Sequence, residues 1–98
     1  MMINNVEIDN LAICSNLKRL INQVYKLLPN REENIDWENP LKTIIEEFAG
    51  MARLMPDQQE IIFSLMCKLE GLFTLNGEND FFFFFLTIYE CLNLIQEI

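Results

Sequence analysis

No histidine occurs in the 98 residues, and the chain has only two serines, three glycines, three prolines and seven basic residues, against fifteen carboxylates. Each scarcity removes a class of chemistry. Without histidine, Ser15 and Ser64 have no imidazole base, no imidazole metal ligand exists, and a di-iron bundle built on Glu-x-x-His pairs is excluded. Three scattered glycines cannot form a glycine-rich phosphate cradle. No apolar run reaches the roughly 20 residues that a membrane-crossing helix needs. The longest candidate, Phe81 to Ile95, is interrupted by Thr87, Glu90 and Asn93. Met1 to Asp9 hold neither a basic segment nor an apolar one, so the expectation is a cytoplasmic chain without a secretory signal.

The charge balance points the same way. A net charge of -8 and a pI near 4.3 repel polyanions and argue against direct nucleic-acid binding. From residue 69 to 98 the chain carries Glu70, Glu78, Asp80, Glu90 and Glu97 and no basic residue. Within helices, Lys42 and Glu46 form the clearest ion-pair spacing, which leaves most carboxylates uncompensated. Cys14, Cys67 and Cys91 are odd in number, far apart and set among apolar residues, a pattern that predicts buried, reduced thiols.

What is present is helical periodicity. Apolar residues make up 51% of the chain, enough for a core, and the length suits one domain over 1–98. Cys14, Leu17, Ile21, Val24 and Leu28 recur at three and four residues, with Ile13, Leu20 and Leu27 on an adjacent row. That spacing predicts a helix over 8–28, ended by Pro29, with Lys18, Arg19 and Lys26 on its outer face. Residues 29–39 then read as a polar loop. Asn39 followed by Pro40 marks the start of a second helix, 40–55, with Leu41, Ile44, Ile45, Phe48, Ala52 and Met55 inward. Pro56 opens a third, 56–74, facing inward through Ile62, Leu65, Met66, Leu69, Leu72 and Phe73 and closed by a left-handed stop at Asn76 and Gly77.

A fourth helix, 80–97, capped by Asn79 or Asp80, completes an all-α, single-domain bundle of four helices. Thirteen of the residues from 81 to 98 are apolar, so this strongly apolar C-terminal helix is expected either at the centre of the bundle or in a homodimer seam. The run Phe81 to Phe85 also suits a buried strand, but no second strand is there to pair with it. The expected core includes Leu17, Ile21, Val24, Phe48, Leu65, Leu69, Phe85 and Leu92.

Two surfaces stand out as candidates. Glu32, Glu33, Asp36 and Glu38 surround Trp37, the only tryptophan, in the predicted loop. Tryptophan is a frequent interface anchor, and an anionic rim suits a basic partner, so these five residues are the candidate partner-binding site. The bland alternative has Trp37 folded back as a lid on the core. Leu94, Ile95 and Ile98 give the last helix more apolar surface than one stripe can bury, which makes them candidates for self-association.

Glu46 and Glu47 raise a third, remote alternative, a metal-dependent nucleotide pyrophosphohydrolase, since all-helical enzymes of that kind use paired glutamates on helices. The pattern asks for a further carboxylate one turn on and an acidic pair on the next helix. This chain has Gly50, Arg53, Gln58 and Gln59 there, so neither a metal nor any other cofactor is expected. The reading that remains is a non-enzymatic, acidic protein–protein interaction module. Its narrower form is an inhibitor that presents a nucleic-acid-like anionic surface to a basic groove, as phage anti-defence proteins do, and its alternative is a small self-associating structural subunit.

Overall fold

In the computed structural model the chain is described over residues 3–98, with side chains described from residue 14 onward. Four helices form it: α1 (Ile3–Glu32), α2 (Glu38–Leu54), α3 (Gln59–Gly71) and α4 (Phe81–Glu97). Single 3-10 turns, Pro56–Gln58, Leu72–Thr74 and Glu78–Asp80, lie before α3, after it and before α4. No strand occurs among the described residues, and Phe81–Phe85 is the first turn and a half of α4. The helices pack in a ring, α1 on α2, α2 on α3, α3 on α4 and α4 back on α1, as short connections between antiparallel neighbours require.

α1 does not stop at Pro29. Proline withholds only the amide that would bond to the Tyr25 carbonyl, and both residues are exposed, so water can take that carbonyl. The helix instead ends at Asn34, the one described non-glycine residue with a positive φ, 60°. The Ile35 amide donates to the Asn30 carbonyl at 2.8 Å and the Asn34 amide to the Arg31 carbonyl at 3.3 Å, the paired bonds of a Schellman stop. At its other end α1 begins at Ile3, five residues before the expected start. The Met1–Asp9 stretch and the Ile13 side chain lie outside the residues whose side chains are described.

The remaining boundaries follow the expectation to within a few residues, with different caps. Asp36, not Asn39, closes the start of α2: its Oδ1 accepts the Glu38 and Asn39 amides at 3.2 and 3.3 Å. Pro40 sits in that first turn without needing a donor. Asn76 and Gly77 are not left-handed, Gly77 having φ -83°. α3 tightens into its 3-10 turn instead, and the Leu75 amide donates to the Leu72 carbonyl at 3.0 Å. Asp80 does not cap α4; its Oδ2 accepts the Gly77 amide at 3.2 Å.

The core draws on every helix: Leu20, Val24, Leu27 and Leu28 from α1, Leu41, Ile44, Phe48, Met51 and Ala52 from α2, Ile62, Leu65 and Leu69 from α3, and Leu72 just beyond it. α4 contributes Phe84, Ile88, Cys91 and Ile95. That single stripe corrects the expectation of a central helix wrapped by the other three. It also corrects the register, because Phe84 is fully buried where Phe85 was expected, and Phe85 is 38% exposed. Leu17, Ile21 and Leu92 are only half-buried against the core. The thiols are corrected as well: Cys91 is buried, but Cys14 and Cys67 are exposed.

Candidate interaction surface

The acidic loop is built around a packed tryptophan. Trp37 lies half-buried, stacked on Phe73 with centroids 6.4 Å apart and meeting Phe84 edge-on at 5.1 Å. It is a lid on the core rather than a free anchor. Asp36 is engaged in capping α2 and also accepts the Asn39 side-chain amide at 2.8 Å. The backbone amide of Asn39, then its side chain, and the Glu38 amide hold the Asp36 carboxyl below its ordinary value of 3.8. Glu32, Glu33 and Glu38 remain exposed beside it.

Behind this loop Arg31 ties α1 to the α3–α4 connection. Its Nε and Nη2 donate to the Leu75 carbonyl at 3.0 and 2.7 Å, and Nη2 also donates to the Gly77 carbonyl at 2.7 Å. The guanidinium sits over Phe81 and Phe84 at 5.3 and 4.9 Å. Arg31, Glu32, Trp37, Gly77, Glu78 and Phe81 are among the residues that line a cleft of about 340 Å³. The cation in that cleft is already spent on backbone carbonyls, so the cleft is a joint of the fold.

The three self-association candidates are split by the structure. Ile95 is buried in the chain's own core, while Leu94 and Ile98 are half-buried against it. Ile95 and Ile98 border an apolar groove of about 520 Å³ shared with Leu17, Ile21 and Met55. The large exposed apolar surface of α4 lies at its other end. Phe82, Phe83, Phe85, Leu86 and Tyr89 are all exposed, with Phe82 the most open at 63%. Phe82 and Phe83 meet at 5.9 Å, and Phe85 and Tyr89 at 4.7 Å, so these rings pair with one another at the surface. Tyr25, Ile35, Leu54 and Phe63 are exposed on other elements.

This face is not legible in the sequence because five consecutive phenylalanines hide the helical phase. Ile88, Cys91 and Ile95, extrapolated back by one turn, select Phe84 for the core and leave Phe82, Phe85 and Leu86 outside.

Two ion pairs join helices among the described residues, Arg19 to Glu47 at 3.1 Å and Lys68 to Glu90 at 3.5 Å, and Lys42 and Glu46 do not pair. Burial pushes the Cys91 thiol up to about 12, with Lys68 opposing the shift and Glu90 adding to it, so this sulfur stays protonated. Among the described residues no three carboxylates or thiols come together as a metal site. No helix is long and apolar enough to cross a membrane among those residues. Comparison with protein-family models, with curated proteins and with solved structures gives no match.

Proposed function

We propose that the chain is a non-enzymatic, acidic helical interaction module that binds another protein through the aromatic face of α4. The observation that carries this reading is the row from Phe82 to Tyr89, exposed on a helix whose opposite stripe already completes the core. Clusters of large apolar side chains on a surface mark interaction sites, whereas isolated ones do not. Aromatic residues also supply much contact area at little conformational cost. Trp37 is taken up by the fold, so the acidic loop contributes charge near the joint rather than an anchor. A purely nucleic-acid-like inhibitor would need the carboxylates and leave the aromatic row without a role, which favours a protein partner with an apolar stripe.

A photoreactive phenylalanine analogue placed at position 85, in the cell that makes the chain, tests this reading. A discrete crosslinked product from position 85, absent when the analogue replaces Leu54, supports it. Equal crosslinking from both positions, or none from either, counts against it. A product at twice the chain's own mass would favour the self-associating subunit.

A further inference from the structure

The exposed face of α4 has an internal order that specifies what it takes. Phe82, Phe85, Leu86 and Tyr89 stand at i, i+3, i+4 and i+7, the spacing at which one helix offers anchors to another. Leu86, Glu90, Asn93 and Glu97 continue at the same helical intervals, so exposed Glu90 stands beside the apolar row and exposed Glu97 lies about two turns beyond it on the same line. Glu78 is exposed in the turn that precedes α4, and no basic residue occurs from 69 to 98. Lys68 of α3 reaches Glu90 at 3.5 Å, but both side chains are open to solvent, so the pair is weak and exchangeable.

We propose that this face binds a basic amphipathic helix of another protein, with the partner's apolar stripe on Phe82, Phe85, Leu86 and Tyr89 and its cations along Glu78, Glu90 and Glu97. The proposal rests on the reading of α4 as the interaction face and adds the chemistry of the partner. Charge decides against a second copy of the chain, because a symmetric pair sets the same carboxylates around one interface, where like charges repel. A partner that brings cations to the acidic border alone gains from the charge.

Two synthetic amphipathic helical peptides with the same leucine stripe, one carrying lysines and the other glutamates on its polar face, test the proposal by calorimetric titration of the full chain at low and high salt. The lysine peptide is expected to bind at least about tenfold more tightly than the glutamate peptide and to weaken as salt rises. Phe85→Ser should lower that affinity about tenfold, as loss of an anchor does. The double variant Glu90→Gln with Glu97→Gln should weaken binding and flatten its salt dependence, with circular dichroism showing that each variant remains folded. Equal binding of both peptides, lost in Phe85→Ser, would overturn the basic partner while leaving α4 as the interaction face. Binding that Phe85→Ser leaves unchanged would overturn both. Failure of the lysine peptide to bind, or a micromolar dimer of the chain that Phe85→Ser dissociates, would also overturn the basic partner, the dimer naming a second copy as the occupant.

Discussion

The guanidinium carbon of Arg31 lies 4.9 Å from the centre of the Phe84 ring, joining the last turn of α1 to the first turn of α4. The edge contact from Trp37 brings the start of α2 onto the same ring. Phe84 is thus the point where three helices meet, and its burial is what turns Phe82, Phe85 and Leu86 outward. The core joint and the candidate binding face are set by one helical register.

That register is open to a paired substitution. Phe84→Ala should destabilise the fold by about 3–5 kcal/mol, the usual cost of removing a buried phenylalanine whose site cannot collapse. Phe85→Ala should cost less than about 1 kcal/mol, as exposed substitutions do. Chemical denaturation of the two variants checks the order, and a reversal would shift α4 by one residue.

Arg31→Met retains most of the apolar stem and removes the donors. The carbonyls of Leu75 and Gly77 then lose their charge-assisted bonds, an expected loss of about 1.5–3 kcal/mol. Amide exchange should quicken first in the 72–80 connection, ahead of the α2–α3 contact. Uniform quickening across all four helices would make Arg31 a global rather than a local tie.

Asp36 gives the fold an acid-sensitive cap. Its carboxyl is held below 3.8 by the Asn39 and Glu38 donors, so the charged form is favoured in the folded state. A lowered folded value means the contribution is complete above the unfolded value and is lost as pH falls through the folded one. The difference in thermal stability between the wild type and Asp36→Ala should therefore hold near neutrality and shrink below about pH 4, around the ordinary carboxylate value. A difference that grows on acidification would contradict the capping role.

The thiols divide by access. Cys14 and Cys67 should react rapidly with a thiol reagent in the native chain, and Cys91 only once denaturant opens the core. Rapid labelling of Cys91 under native conditions would contradict the packing of α4 on α1 and α3.

Much of the architecture is legible in the residues. The stripes through Val24, Phe48, Leu65 and Leu69 fix the first three helices and their inner faces, because buried positions at three and four residues admit one helical phase. Two kinds of feature are not. Pro29 suggests an end that the helix passes because the Tyr25 carbonyl it leaves free is exposed, and the tie from Arg31 to carbonyls 44 and 46 residues away leaves no local pattern. The phase of Phe81–Phe85 is degenerate within the run itself and is set only by Ile88, Cys91 and Ile95 further on. The candidate site suffers from both. Trp37 in an acidic segment has the composition of an anchor, yet its rings of contact, Phe73 and Phe84, lie on other elements.

The most direct test of α4 as the interaction face is a titration of the chain with the lysine peptide followed through the aromatic carbon and proton resonances. With α4 as the binding face, the signals of Phe82, Phe85 and Tyr89 move together and saturate, while those of Trp37 and Phe73 stay nearly fixed. Shifts centred on Trp37, with Phe82 and Phe85 unmoved, would contradict that and place the binding face at the acidic loop.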